Sequence, residues 1–295
     1  MGQEHTTEAT SSYDRISPTA KYVAHLRAMT DIPYSKEIAS VCNVEETFLN
    51  IAGEQTAKLA WSVPLVEARY KSVNSLIDSY NLKNVFELAS GLSPRGLVMT
   101  EDPRISFIES DLPGLMGEKE KILKKILSGR GVPKRPNLHC CIVNALNREQ
   151  LFSAAEHFSG GPIGVICEAL LNYFTLQEKQ RVAENIFALL SRYGGVWITP
   201  DISTKDRRQE VVHMDEATKK TLALLAGFTG RDFAKNSFDD IHHVKSFFEG
   251  IGFTIEKHVQ SELVHDLCFS GLPPEQVTKI KKMLQLARIW TIKIR

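Results

Sequence analysis

Three acidic residues stand where short apolar runs of the chain end. Glu87 opens the stretch Glu87-Leu88-Ala89-Ser90-Gly91-Leu92-Ser93-Pro94-Arg95-Gly96, Asp111 closes Glu109-Ser110-Asp111, and Glu168 follows the run 163–167. Glycine at position 91 permits a tight turn and a close approach of backbone to a ligand. An acidic side chain about 20 residues beyond such a turn is placed to grip a ribose diol, so Gly91 with Asp111 points to an adenosine-containing ligand. The same residues admit plainer readings: a structural turn at Gly91, a helix N-cap at Asp111, a helix-dipole partner at Glu87. Glu168 interrupts an otherwise apolar stretch, and a buried carboxylate requires a charged or hydrogen-bonding partner. Other chemistries lack their residues. The chain has no GxxxxGK[ST] phosphate loop, no GxSxG nucleophile elbow and no HExxH pair.

The elements that must position these acids follow from the periodicity. Short apolar runs at 85–89, 105–109, 138–143, 163–167 and 196–199 read as strands. Helical patterns separate several of them, at 117–127 and at 175–193. The second helix opens on a Thr175/Glu178 capping box and stops at Gly194-Gly195. Strand alternating with helix predicts parallel βαβ units, and solidly apolar strands predict a sheet covered on both faces. Two more strand-like runs, 253–257 and 289–294, flank a helix at 275–287 and read as a hairpin-like pair. Seven strands ending in such a pair do not fit a six-stranded dehydrogenase-type sheet. In an open α/β sheet the ligand sits outside the C-terminal strand ends, where the three acids lie.

Residues 1–16 read as a flexible polar leader. A helical cover is expected over 17–81, starting at Ser17-Pro18 and carrying an apolar stripe of Leu65, Val66, Tyr70, Val73, Leu76 and Ile77. A charge-rich helical segment at 206–249 is expected to form a lid. Its Phe228, Phe233, Phe238, Phe247 and Phe248 either line an apolar acceptor pocket or pack the lid onto the sheet, the second being the expectation for most of them. The basic cluster Lys119, Lys121, Lys124, Lys125, Arg130, Lys134 and Arg135 is interleaved with Glu118 and Glu120 and reads as a solvated helix face.

Composition narrows the function classes. The 295 residues are 43% hydrophobic and 24% charged, with 36 Lys+Arg against 35 Asp+Glu, a balance that suits a globular chain and implies no nucleic-acid partner. The most apolar stretch, 163–174, is broken by Glu168 and Asn172 and falls short of the roughly 18 apolar residues of a membrane span. Five cysteines without a CxxC pair suit free thiols in the cytoplasm, and no metal site is expected.

Three motifs resemble the leucine carboxyl methyltransferase-like family of class I S-adenosylmethionine-dependent O-methyltransferases, which includes polyketide-type enzymes. The run 87–95 is similar to the family's first motif. Phe107-Ile108-Glu109-Ser110-Asp111-Leu112-Pro113 with Lys119 is similar to its second, and Cys167-Glu168-Ala169-Leu170-Leu171-Asn172-Tyr173-Phe174-Thr175 to its fourth. The resemblance runs from about Ser17 to the C-terminus. It implies an α/β fold: a Rossmann-like seven-stranded class I methyltransferase sheet with an N-terminal helical extension and a helical lid insertion, all in one domain over 17–295.

Carried over position by position, Lys21 and Arg69 would hold the methionine carboxylate of S-adenosylmethionine. Glu87, Ala89, Ser90 and Gly91 would line its backbone, and Asp111 with Leu112 the ribose. Asn144, Ala145 and Leu146 would lie beside adenine, and Glu168 with Ala169 near the ammonium and sulfonium. Tyr22 and Tyr173 are candidate acceptor contacts. The sequence departs from the family at Ala89, which replaces a glycine and is small enough to permit close approach if its φ is negative. It departs again at Ser93-Pro94, where a backbone donor is lost, and at Asn144-Ala145, where an acidic adenine partner is missing. The implied function is methylation of a small-molecule carboxylate or hydroxyl. A protein carboxyl group as acceptor, or a cofactor-binding scaffold without turnover, are the alternatives.

Overall fold

The computed structural model describes residues 17–44, 61–132, 134–214 and 235–295. The expected leader, 1–16, lies outside the described residues. The helices before the sheet are α1 (Ser17–Ala28), α2 (Ser35–Val41) and α3 (Val63–Ser79). The alternating part runs β1 (Asn84–Leu88), α4 (Arg95–Met99), β2 (Ser106–Asp111), α5 (Pro113–Gly129), β3 (Leu138–Ile142), α6 (Arg148–Ala155), β4 (Ile163–Cys167), a single 3-10 turn at Leu171–Tyr173, α7 (Leu176–Tyr193) and β5 (Gly195–Thr199). After it come α8 (Lys205–Met214), α9 (Ile241–Ile251), β6 (Phe253–Val259), α10 (Gln260–Leu263), α11 (Pro274–Leu286) and β7 (Arg288–Ile294).

The seven strands form one sheet in the order β3-β2-β1-β4-β5-β7-β6. β1 to β5 are mutually parallel. β7 runs antiparallel to both β5 and β6, so the last two strands are the pair expected around a helix, in register from Phe253 opposite Ile294 to Val259 opposite Arg288. Both sheet faces are covered. Phe86, Leu88, Ile108, Val165, Cys167 and Trp197 pack one face against Leu151 of α6, Val182 and Ile186 of α7 and Phe248 of α9. The alternate residues Val85, Phe107, Ile166, Val196 and Ile198 pack the other face against Val73, Leu76 and Ile77 of α3. This two-sided burial is why the strand sequences are continuously apolar.

Helix boundaries follow local chemistry. α7 starts at the expected capping box: the Thr175 hydroxyl accepts from the Glu178 N–H at 3.2 Å, and the Glu178 carboxylate accepts from the Thr175 N–H at 2.7 Å. α5 begins four residues before the pattern suggests, because Pro113 at N1 has no N–H to leave unsatisfied. Among the described residues no helix is long and apolar enough to cross a membrane.

The segment expected as a lid, 206–249, divides. Phe228 and Phe233 lie outside the described residues. Phe238 and Phe248 are buried and belong, with Phe247, to the core on the α7 face, where Phe248 meets Trp197 edge-on at 5.7 Å. α9 is therefore a layer of the sheet rather than part of a lid. α1 packs against α2 and α3, and its Ala20 Cβ is 3.5 Å from where a side chain on Gly91 would begin, so α1 lies at the β1 strand end.

Candidate functional site

The chain leaves β1 toward β2 on one side and reaches β4 on the other, so the strand order reverses at the carboxyl ends of β1 and β4. A cavity of about 290 Å³ opens there, lined by the β1 turn, the ends of β2 and β4, the segment after β3, and one face of α1. Open α/β sheets bind ligands at this switch point. Of the residues expected at the site, Arg69, Glu87, Ala89, Ser90, Gly91, Asp111, Leu112, Asn144, Ala145, Glu168, Ala169 and Tyr173 line this cavity.

Two of these positions are conformationally strained. Ala89 and Ala169, just beyond β1 and β4, adopt φ of +51° and +64°. The condition set for Ala89, a negative φ, is thus not met. The chain turns into the left-handed region as it leaves β1, and alanine there carries a Cβ clash that glycine would avoid. Gly91 follows at φ +52°. Its N–H donates to the Asp111 carboxylate at 2.8 Å, whose second oxygen accepts from the Leu112 N–H at 2.8 Å. Asp111 ends β2 itself, and the N-cap of α5 is Leu112. Burial raises the Asp111 carboxyl, opposed by those two N–H groups.

Glu168 is only 4% exposed at its side chain, and three guanidiniums surround it. Arg27 donates to it at 2.6 Å, Arg95 at 2.7 Å and Arg69 at 3.2 Å. The partner expected for this carboxylate is a ligand cation; the protein supplies counter-charge itself. Burial opposes ionisation of Glu168, but Arg27, Arg95 and Arg69 outweigh it and hold the carboxyl well below the usual range. Arg95 has no exposure and uses its whole fork: Nε on Asn74 at 2.8 Å, one arm on Glu87, the other on Glu168. Its charge is held by Glu87 and Glu168 against the cost of burial. Arg27 and Arg95 also stack over Tyr70, with guanidinium carbons 5.7 and 4.6 Å from the ring centre.

Three guanidiniums face the two carboxylates Glu87 and Glu168, so this end of the cavity holds an excess of positive charge. Two polar atoms of cavity-lining residues lack partners: the Arg27 Nε–H, a donor, and Glu87 Oε2, an acceptor. Burial pushes the Glu87 carboxyl up, with Arg95 and Lys119 pulling the other way.

Lys119, expected on a solvated helix face, is 1% exposed. It pairs with Glu109 at 3.0 Å and donates to the Ser90 hydroxyl at 3.0 Å, tying α5 to the β1 turn. Gly96 makes room for this pair, because a Cβ there would fall 2.4 Å from Glu109 Oε1.

Three expected site residues lie elsewhere. Lys21 points off the lining face of α1 and pairs with Glu118 of α5 at 3.2 Å. Its place is taken by Arg27, which shares the face of Ala20 and Val23 at helical spacing. Tyr22 is buried in an apolar cluster with Leu26, Val63 and Val66. Leu146 packs against the core, and its N–H donates to the Asn144 amide oxygen at 3.0 Å. That amide oxygen is thus engaged in a local turn. Sequence reasoning missed Arg27; its signal was an arginine in phase with the apolar face of α1. Tyr173 sits at the rim, its hydroxyl 3.3 Å from that of Thr19, with the phenol raised by burial.

No protein-family model matches the sequence, and no curated protein matches it. The fold has relatives among solved structures. A DUF574 family protein from Streptomyces avermitilis MA-4680 superposes with a TM-score of 0.53 at 11% identity, over 94% of this chain and 97% of its own. A candidate methyltransferase from Thermobifida fusca YX superposes with a TM-score of 0.51 at 12% identity, over 94% of each chain. A candidate O-methyltransferase from Nostoc punctiforme PCC 73102 aligns at 13% identity and a TM-score of 0.44, and there this chain spans only 60% of the other's length. Strand order, the antiparallel seventh strand and the first two relatives together give this chain the Rossmann-like fold of the class I methyltransferases.

Proposed function

We propose that the protein is an S-adenosylmethionine-dependent O-methyltransferase acting on a small-molecule carboxylate or hydroxyl. The observation that supports this most is the charge arrangement at one end of the cavity, where Arg27, Arg69, Glu87 and Glu168 line the wall together. Guanidiniums and carboxylates side by side match the carboxylate and the ammonium of an amino-acid zwitterion. Arg69, 28% exposed and lining the same end, adds a second cation for the carboxylate. Asp111 stands at the end of β2, where a ribose diol is gripped in sheets of this kind, and its oxygens retain acceptor capacity beside their two N–H bonds. Asn144 and Ala145 line the cavity beyond β3 and are the residues this reading assigns to adenine.

When bound, S-adenosylmethionine would supply an activated methyl group on a sulfonium. The residues of this chain bind and orient, and α1 excludes water with Ala20 and Val23. Among the described residues the lining holds no histidine, and the Tyr173 phenol is raised by burial, so it stays protonated at neutral pH. This favours an acceptor that is already anionic, since a carboxylate needs no general base. The motifs at 87–95, 107–113 and 167–175 support the leucine carboxyl methyltransferase-like branch, and five cysteines without a CxxC pair suit a cytoplasmic setting. Titration calorimetry with S-adenosylmethionine and S-adenosylhomocysteine tests the reading. Micromolar binding that weakens in Arg27→Gln and Asp111→Ala supports it, and no heat at millimolar cofactor overturns it. Turnover across a panel of carboxylic acids and phenols separates an enzyme from a scaffold.

A further inference from the structure

Asp201 lies two residues beyond β5, is 2% exposed, and carries no assigned role. Its carboxylate accepts three consecutive backbone N–H groups: Ala169 at 2.8 Å on one oxygen, Leu170 at 2.6 Å and Leu171 at 2.9 Å on the other. Successive N–H groups converging on one point form a nest that ordinarily cradles an anion. Here the anion is a side chain from the neighbouring strand end. The turn it grips begins with Ala169 at φ +64°, a conformation alanine adopts only under constraint. Glu168 precedes that residue, and the 3-10 turn Leu171–Tyr173 follows it.

We propose that Asp201 is a positioning residue for the ligand site, acting through the β4 turn. It holds Ala169 in the left-handed region. That fixes Glu168 toward Arg27 and Arg95 on one side and sets the Tyr173 hydroxyl beside Thr19 of α1 on the other. Without the three bonds, the N–H groups of 169–171 lose their acceptor and the strained alanine relaxes, carrying Glu168 and its arginines with it. Asp111, Gly91 and Asn144 belong to the other half of the cavity and have separate anchors. The effect is therefore confined to the amino-acid end of the ligand. This inference rests on the reading of the cavity as an S-adenosylmethionine site.

The experiment compares two probes on purified protein, S-adenosylhomocysteine, which has the amino-acid end, and 5′-methylthioadenosine, which lacks it. Asp201→Asn keeps the shape but turns an amide NH2 toward an N–H. It is expected to weaken S-adenosylhomocysteine about tenfold or more, as for a lost charge-assisted contact, and to leave 5′-methylthioadenosine unchanged. Asp201→Glu, which keeps the charge, recovers part of the loss. Should the asparagine variant not fold, the glutamate variant is read by the same two probes, and slow amide exchange at Ala169, Leu170 and Leu171 is measured in the wild type. Unchanged S-adenosylhomocysteine affinity in a folded variant overturns the proposal. So does equal weakening of both probes, or fast exchange at the three amides. Wild-type protein that binds neither probe defeats the cofactor reading itself, an outcome visible before any variant is made.

Discussion

Replacing Glu168 by glutamine is the sharpest perturbation of the charge cluster. Glutamine keeps the shape but offers one acceptor oxygen and an NH2 group where Arg27, Arg69 and Arg95 all donate. The carboxylate is 4% exposed, as Arg27 is 7% and Arg95 0%, so solvent does little to screen the loss. Removing one partner of a buried ionic cluster costs about 3–5 kcal/mol. At about 2 °C per kcal/mol for a domain of this size, the melting temperature should fall by roughly 6–10 °C. The pH dependence is the stricter test. The folded Glu168 carboxyl lies below its unfolded value of about 4.3, so its stabilisation is present above that pH and is lost as pH falls through the folded value. Glu87, Glu109, Asp111 and Asp201 are shifted upward by burial, and their contributions run the other way, fading as pH rises. The readout is therefore the difference between wild type and variant, by urea unfolding at matched pH. It should be flat from pH 8 to about pH 5 and shrink only below about 4. A difference under about 1 kcal/mol at neutral pH, or one that grows on acidification, would refute the cluster as described.

Other substitutions probe single features. Gly96→Ala puts a Cβ within 2.4 Å of Glu109 Oε1 and 2.8 Å of a Leu138 methyl; it should cost about 1–3 kcal/mol in denaturant midpoint, as overpacking does. Ala89→Gly relieves the +51° φ and should be neutral or stabilising by up to about 1 kcal/mol, whereas Ala89→Val should destabilise more than that, both measured by urea unfolding. Lys119→Met leaves Glu109 buried without its cation and should cost about 3–5 kcal/mol, less at acid pH where Glu109 protonates. Thr175→Ala removes the acceptor half of the α7 capping box and should lose about 0.5–2 kcal/mol in thermal unfolding, without changing S-adenosylhomocysteine affinity.

The sheet was legible because its signals are local. Apolar runs, the Thr175/Glu178 box and the spacing of strand and helix each report a short stretch of chain, and they agree with the observed order up to the paired β6 and β7. The three acids at strand ends were legible for the same reason, since the switch point is a property of topology. The cations around them were not. Arg27, Arg69 and Arg95 lie on three different helices, and Arg27 and Glu168 are 141 residues apart in sequence. A buried carboxylate announces that it needs a partner, but the sequence does not say which arginine arrives. Lys119 shows the converse. On a helix rich in exposed lysines its composition signals a solvated face, and only the packing of α5 on β2 brings it to Glu109.

Two kinds of cost converge on the switch point. Ala89 and Ala169, the residues directly following β1 and one position removed from β4, both occupy the left-handed region, and the buried charges Glu87, Glu168 and Arg95 lie between them. A chain selected for stability alone would place glycine at the two turns and apolar residues at the strand ends, as a buried ionic cluster is often no better than well-packed hydrophobes. Their concentration at one end of the sheet, around the switch-point cavity, fits the proposed site for a zwitterionic ligand. The turns hold the carboxylates in place before a ligand arrives. On the proposed reading, the surplus guanidinium charge would meet a ligand carboxylate without reorganisation, the arrangement expected when binding energy goes into alignment rather than into reshaping the pocket.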